Sequence, residues 1–290
     1  MKRIAIFGAS GYLGTYLVEL ARKFGFEPIS FVRVNSHISS SLQKNSEIRL
    51  VDIRNPGTLV GQLDDCDYVI STVGITRQKD GLSYEDIDYQ ANMNILCEAQ
   101  SAGISKFMYT SVFKGAQHQG VRLCAAKERF VKQLQVSGID YCVVRPTGFF
   151  SDMLEFLQMA QTGRVHLFDK GMQRINPIHG QDLAQAMIDL FRIGLPSFTQ
   201  NEISIGGPKV FTYRQVAEHA FNVVGKPCKV TYYPDWLRRC ILFLGKKCLS
   251  EPSFGPYEFF FTFAVVDMVA PKYGSRQLVD FFAESTLARS

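Results

Sequence analysis

Short apolar runs alternate with stretches whose apolar residues recur at helical spacing. Arg3–Phe7 reads as a compact strand. A glycine turn follows, then a helix over Tyr12–Lys23 that sets Leu13, Tyr16, Leu17 and Leu20 on one face. The same reasoning predicts strands at 28–32, 48–51, 67–73, 106–111 and 141–145, and helices at 88–102 and 125–136. In the run at 67–73, DYVISTV, apolar residues do not alternate with charges, as a strand buried on both faces requires. This β-α-β-α order demands a parallel sheet with helices on both faces. The expected fold is therefore α/β, a doubly wound parallel Rossmann sheet of about seven strands.

After Pro146 the pattern loosens. A short helix is expected at 153–159 and a longer one at 182–191 with Asp182 as its N-cap. A strand at 203–205 ends at Gly206-Gly207-Pro208. Thr212 then caps a helix through Val224, with Gly225 past its end.

Composition narrows the class without supplying chemistry. An apolar share of 46% and a charged share of 20% over 290 residues exclude a disordered, collagen-like or coiled-coil chain. The surplus of 32 basic over 27 acidic residues, +5, is too mild to call for nucleic acid and suits an anionic ligand as well. Seven scattered cysteines with no C-x-x-C pair suggest neither a disulfide framework nor a zinc site, and most are expected to be small buried apolar residues. The N-terminal apolar run is too short for a signal peptide. The greasy stretch at 259–266, flanked by Glu258 and Asp267, falls below the ~20 residues that span a bilayer. A reduced, cytoplasmic protein is expected.

The first strand runs into Gly8-Ala9-Ser10-Gly11-Tyr12-Leu13-Gly14, a G-x-x-G-x-x-G turn opening a helix. Gly8 permits the tight turn, Gly11 lets the backbone approach a pyrophosphate, and Gly14 lets the helix pack on the strand. A phosphate would sit on the helix N-terminus, against unpaired N–H groups. The turn's place between a strand and a helix of a βαβ unit is the context this motif needs. No acid ends the second strand to bind a ribose 2′-hydroxyl. Phe31-Val32-Arg33 stands there instead, and a guanidinium matches a 2′-phosphate, so NADP(H) is favoured over NAD(H). Asp52 is a candidate for the adenine amine, and Thr72-Val73-Gly74 ends the fourth strand where a small residue lets the adenine ribose pass. Residues 1–150 are expected to form the dinucleotide-binding domain, and 151–290 to complete the sheet and form a substrate or lid region.

These residues resemble the short-chain dehydrogenase/reductase superfamily, in its atypical NAD(P)-binding branch with the NmrA-like and isoflavone-reductase-like proteins. GASGYLG is similar to that branch's GATGYLG and GATGFIG turns. Asp88-Tyr89-Gln90-Ala91 with Asn94, Arg145-Pro146-Thr147-Gly148-Phe149-Phe150, Ile205-Gly206-Gly207-Pro208 and Pro271-Lys272-Tyr273-Gly274, with Leu278, Asp280, Phe281 and Phe282, resemble divinyl-chlorophyllide 8-vinyl reductase-like proteins. The resemblance covers nearly the whole chain.

It implies an oxidoreductase, and it raises a catalytic question. Many members carry a Y-x-x-x-K pair in which the tyrosine donates a proton and the lysine holds the cofactor ribose. Here Lys127 fits the lysine position, and Leu123 stands at the tyrosine position, where it cannot donate a proton. The vinyl-reductase-like group also lacks that tyrosine. Reduction of an activated C=C can take its proton from water, so Lys127 and Ser111 are the catalytic candidates, with Pro146, Thr147 and Gly148 flanking the nicotinamide. His118, His179 and Tyr109 are read as structural.

The C-terminal part is aromatic, with YYPDW at 232–236, basic residues Arg238, Arg239, Lys246 and Lys247, and five aromatics within 257–263. A lid packed on the core is one reading. An apolar substrate pocket or a peripheral membrane contact is the other. No RNP-like or helix-turn-helix pattern supports nucleic acid, and nothing in the pattern specifies an oligomeric state. The expected partner is a small apolar, conjugated substrate of an NADP(H)-dependent reductase. The rival is a non-catalytic NAD(P)(H) sensor or scaffold of the NmrA-like kind.

Overall fold

Strand β1 (Arg3–Phe7) lies inside a seven-stranded sheet, with Ile4–Phe7 buried on both faces. It pairs in parallel with β2 (Glu27–Val32) on one side and β4 (Tyr68–Ser71) on the other. β3 (Glu47–Leu50), β5 (Lys106–Thr110), β6 (Asp140–Pro146) and β9 (Glu202–Ile205) complete the order β3-β2-β1-β4-β5-β6-β9. The order reverses between β1 and β4, which opens a crevice at their C-terminal ends, where sheets of this kind bind ligands. The computed structural model describes residues 1–34, 36, 38–75, 81–192, 198 and 200–287. The expected α/β sheet of seven strands is what the chain forms.

The chain divides into two units. The first comprises Met1–Arg145 and Leu183–Ile203, the second Pro146–Asp182 and Ser204–Ser290. In the first, helix α1 (Tyr12–Lys23) buries Leu13, Leu17, Val18, Leu20 and Ala21. α2 (Ser40–Asn45) follows β2. The helix expected at 88–102 begins earlier, as a π-helical turn over Glu85–Ala91 that runs into α3 (Asn92–Ser101). α4 (Arg122–Gln135) starts three residues ahead of expectation and buries Leu123, Lys127 and Glu128 together. The core on one sheet face gathers Phe7, Phe31, Phe107, Tyr109 and Phe130, with Phe7 and Phe31 stacked at 4.3 Å. Each such side chain contributes about 1.5–3 kcal/mol by leaving water.

The second unit contains α5 (Leu154–Gln161), β7 (Val165–Phe168) and β8 (Arg174–Ile175), and α6 (Gly180–Arg192) begins in it. β10 (Phe211–Thr212), α7 (Tyr213–Val224), β11 (Val230–Tyr233), α8 (Asp235–Cys248), α9 (Glu251–Phe263) and α10 (Leu278–Leu287) follow. β11 pairs in parallel with β7, and β10 antiparallel with β8. Thr212 caps α7 as expected: its hydroxyl accepts from Gln215 N–H, Gln215 returns a bond to the Thr212 backbone, and Gly225 closes the helix at φ 70°.

Two expectations fail. Asp182 is not an N-cap, because α6 starts at Gly180. Its carboxylate instead accepts from the backbone of Ser275 and Arg276 at 3.0 and 3.1 Å, pinning the chain ahead of α10. Most cysteines are not buried either. Cys124 and Cys142 are, whereas Cys97, Cys228, Cys240 and Cys248 are exposed, because they fall on outward positions of helices and loops. All seven are free thiols. Among the described residues, no helix is long and apolar enough to cross a membrane.

Candidate functional site

The glycine turn occupies the point where the strand order reverses. Gly8 adopts φ +81°, and a Cβ there would lie 2.5 Å from Thr72 Oγ1. Gly14 is tighter still, since a Cβ would lie 2.1 Å from the Gly8 carbonyl oxygen. Only glycine lets α1 approach β1 this closely. Gly11 caps α1, no acid occupies the helix's first turn, and Ser10 and Gly11 are exposed. Tyr12 is half-buried and Leu13 buried in the same turn. The Thr72 hydroxyl donates to the Phe7 carbonyl at 3.1 Å and so ties the ends of β4 and β1 together.

Beyond β4, Val73 is buried and Gly74 is exposed over two charged side chains. A Cβ on Gly74 would meet Asp88 Oδ1 at 2.6 Å and Lys127 Nζ at 2.8 Å. Those two groups form an ion pair of 3.0 Å, with Asp88 fully buried. The π-helical turn carries Asp88 inward, and Asn92 holds it there by donating to the carbonyls of Ile87 and Asp88 and accepting from the Ser71 hydroxyl at 2.6 Å. Lys127 Nζ also donates to Tyr109 Oη at 3.3 Å and to the Thr110 carbonyl at 3.4 Å.

Charge states follow from these contacts. Burial alone works to lower the Lys127 pKa, but Tyr109 and the Asp88 carboxylate more than offset it, and the net direction is upward. Burial pushes the Tyr109 phenol up to about 12, so at neutral pH it keeps its proton. Asp88, rather than a tyrosinate, is therefore the counter-charge that keeps Lys127 ionised. The Thr110 hydroxyl is buried and has no hydrogen-bond partner among the described residues.

At the far end of the crevice Arg33 follows β2 and is exposed. Asp52 lies two residues past β3, and Arg54 binds it in bidentate fashion, Nε–Oδ1 2.9 Å and Nη2–Oδ2 2.8 Å. That hydrogen bond holds the Asp52 carboxyl below its usual range, with Arg33 adding to the effect at longer range. Asp52, Arg54, Asn55, Leu82, Asp86 and Gln90 line a pocket of about 370 Å³, in the size range of small-molecule sites. Asn94 supports it from α3 by donating to the Ile53 carbonyl at 2.9 Å, and Gln90 donates to Asn94 at 3.0 Å.

Ser111 lies at the end of β5 in a buried network. Its hydroxyl donates to Glu128 Oε1 at 3.1 Å and accepts from Arg145 Nη1 at 3.2 Å. Arg145 Nη2 reaches Glu128 Oε2 at 2.9 Å and Arg145 Nε reaches Glu202 at 2.8 Å. In the second unit Pro146 and Thr147 are buried. The Thr147 hydroxyl donates to the Asn176 carbonyl at 2.6 Å, and Gly148 takes φ +152°, which favours glycine. His179 is wedged between Phe150 and Phe281, and its Nδ1 accepts from Gln181 N–H. His118 Nδ1 contacts the Lys114 carbonyl at 3.0 Å.

Sequence reasoning passed over Asp88 as a charge partner, Tyr109 as a polar neighbour of Lys127, and Thr110, Arg54, Asn92 and Glu128. One signal was available for Glu128. Arg145 interrupts the strand YCVVRP, and a guanidinium inside a buried strand needs an internal carboxylate.

The residues present fit a dinucleotide. The glycine cradle would be filled by any Cβ, an exposed helix N-terminus lies beside it, and a charged lysine and an orphaned hydroxyl flank the neighbouring strand ends. A parallel sheet with this turn at its point of reversal defines a dinucleotide-binding Rossmann protein. The chain belongs to the NAD(P)H-binding family, whose model matches residues 8–192. It is 28% identical to the chloroplastic divinyl chlorophyllide a 8-vinyl-reductase of Cucumis sativus over 77% of this chain and 57% of that protein. It is 27% identical to the photosystem II assembly factor Ycf39 of Synechocystis over 52% of this chain and 46% of that factor. The chain thus spans only about half the length of these two relatives. The vinyl reductase of Arabidopsis thaliana matches 97% of this chain at 25% identity, covering 76% of that protein. Among solved structures, a nucleoside-diphosphate-sugar epimerase from Staphylococcus aureus superposes with TM-score 0.76 and 17% identity, over 98% of this chain and 100% of that one. An NAD+ complex of an enzyme from Bordetella bronchiseptica gives 0.70 and 15%, over 98% of this chain and 96% of that one. At such identities the solved structures establish the fold. The resemblance to vinyl-reductase-like, NAD(P)-binding proteins drawn from the motifs is borne out by these relatives.

Proposed function

We propose that the protein is an NADP(H)-dependent reductase acting on a small apolar substrate with a conjugated C=C or C=O bond. The observation that carries this reading is the buried Lys127–Asp88 ion pair beneath Gly74, with Leu123 in place of a proton-donating tyrosine. Lys127, kept charged by Asp88, holds the cofactor ribose. Ser10, Gly11, Tyr12 and Leu13 hold the pyrophosphate with backbone N–H groups. Arg33 takes the 2′-phosphate, which sets the preference for NADP(H) over NAD(H). The pocket lined by Asp52 takes the adenine end, while Thr110 and Ser111 serve the nicotinamide end. When bound, the cofactor supplies the hydride. Leu123 offers no phenol, so the balancing proton comes from water, which suits an activated C=C better than a simple ketone. The relatives named as vinyl reductases support this reading.

Turnover of NADPH against a panel of enones and quinones tests it. Oxidation with at least one conjugated acceptor is the expected result. Tight NADPH binding with no turnover on any acceptor would favour a second reading, a nucleotide-sensing scaffold, supported by Leu123 and by the likeness to an assembly factor. That reading further expects different affinities for NADPH and NADP+.

A further inference from the structure

In the second unit α8 turns its bulky apolar side chains outward. Arg238 and Gly245 are its buried residues, whereas Trp236, Phe243 and Leu244 are 64%, 67% and 57% exposed. Positions 236, 240, 243, 244 and 247 share one helix face at spacings of four, three or four, and seven. The inward stripe explains why. Arg238 Nε donates to Asp235 at 2.6 Å and Nη1 donates to the Phe261 carbonyl at 3.1 Å, locking α8 to α9. Gly245 admits the Phe254 ring, which a Cβ there would meet at 2.2 Å. Small and polar positions thus clamp the helical hairpin and leave its greasy face to solvent. On α9, Tyr257 and Phe260 are also exposed and lie three positions apart.

The exposed charges around this face are basic. Arg239, Lys246 and Lys247 are exposed, while the hairpin's acids, Asp235, Glu251 and Glu258, are half-buried or buried. Asp235 pairs with Arg239 at 2.6 Å and Glu258 with Lys246 at 3.0 Å. The hairpin's four basic and three acidic residues leave a net charge of +1, with Lys247 on the apolar face itself. A second copy of the chain docked face to face here would set these cations against their own kind. An anionic surface complements them. α8 has 14 residues, so it is about 21 Å long and lies along a bilayer rather than spanning it.

We propose that α8 and the outward side of α9 dock the protein on an anionic lipid bilayer. Trp236, Phe243, Leu244, Tyr257 and Phe260 enter the headgroup–acyl boundary, and Arg239, Lys246 and Lys247 meet lipid phosphates. The assignment is independent of the cofactor reading, and such a face would let an apolar substrate be drawn from lipid.

Trp236 is the chain's single tryptophan, so the chain carries its own probe. Vesicles of phosphatidylcholine with phosphatidylglycerol should shift Trp236 emission to the blue and carry the protein upward in a flotation gradient. Vesicles of phosphatidylcholine alone should do neither. Added salt should weaken the binding. Lys247→Gln should lower the partition coefficient about fivefold, and Phe243→Ser roughly tenfold, with NADPH binding and melting temperature unchanged. No emission shift and no flotation with the anionic vesicles at low salt would overturn the proposal. So would a dimer that already has blue-shifted Trp236 emission without lipid and dissociates on Leu244→Ser, since a second copy would then cover the face.

Discussion

Lys127 and Asp88 face one another at 3.0 Å in the closed space beneath Gly74, and each makes the other tenable. A fully buried carboxylate without a cation, or a buried ammonium without an anion, costs several kcal/mol. Paired, they keep Lys127 protonated beside the C-terminal ends of β4 and β5, in a site of no net charge beneath the exposed Gly74.

Asp88→Asn removes the counter-charge while keeping the size. Burial then acts on Lys127 unopposed by a carboxylate, so its pKa should fall. Cofactor affinity should become pH-dependent, stronger at lower pH where Lys127 is protonated. Loss of one charged hydrogen bond corresponds to about 1.5–3 kcal/mol, roughly ten- to a hundredfold in Kd. Titrations with NADPH across pH check this. A flat profile like that of the parent chain would count against Asp88 as the positioning group.

Gly74→Ala places a methyl group within 2.8 Å of both members of the pair. The overpacking should cost about 1–3 kcal/mol in stability and weaken cofactor binding. Thermal unfolding and NADPH titration of the variant report the two effects separately.

Arg33→Ala should weaken NADPH binding by roughly ten- to a hundredfold while leaving NADH nearly unchanged, because only the 2′-phosphate is lost as a partner. Equal losses for both cofactors would place Arg33 elsewhere than at that phosphate.

Breaking the Glu128–Arg145 pair with Glu128→Gln should destabilise the first unit by about 3–5 kcal/mol, since Arg145 stays buried with its main partner neutralised. Ser111→Ala, which removes only the hydroxyl between them, should cost about 1–3 kcal/mol. Comparing the NADPH turnover of folded Ser111→Ala with its unfolding midpoint shows whether that hydroxyl serves catalysis as well as packing.

At the opposite sheet edge Arg49 grips Asp65 through two bonds of 2.8 and 3.0 Å. That hydrogen bond holds the Asp65 carboxyl at about 2, below its ordinary 3.8. A depressed folded pKa stabilises the protein above the unfolded value, and that stability is lost as pH falls from 3.8 towards 2. Asp65 is 44% exposed and the pair is screened by solvent, so the effect should stay within about 1 kcal/mol. Denaturant midpoints between those pH values should fall less steeply for Asp65→Asn.

The parts of the site legible in the sequence are those made by local backbone chemistry. Gly8, Gly11 and Gly14 announce themselves because a turn between strand and helix needs them, and the buried strands because their apolar runs lack charges. Lys127 was legible through a resemblance, not through spacing. What stayed hidden is long-range. Asp88 comes 39 positions before Lys127, and only the folded π-helical turn brings them together. Tyr109 looked like packing and is packing, yet its hydroxyl end touches the lysine. The short strands β7, β8, β10 and β11 hold two to four residues each, too few for period two to register. In α8 the usual rule misleads, because its apolar face points outward.

The most direct test of the central claim is a calorimetric titration of the intact chain and of Lys127→Ala with NADPH and with NADH. The parent chain should bind NADPH at least about tenfold more tightly than NADH. Lys127→Ala should weaken both by a similar factor, because the ribose it holds is common to them. Failure of the parent chain to bind either nucleotide, or a Lys127→Ala chain that binds both as tightly as the parent, would contradict the account.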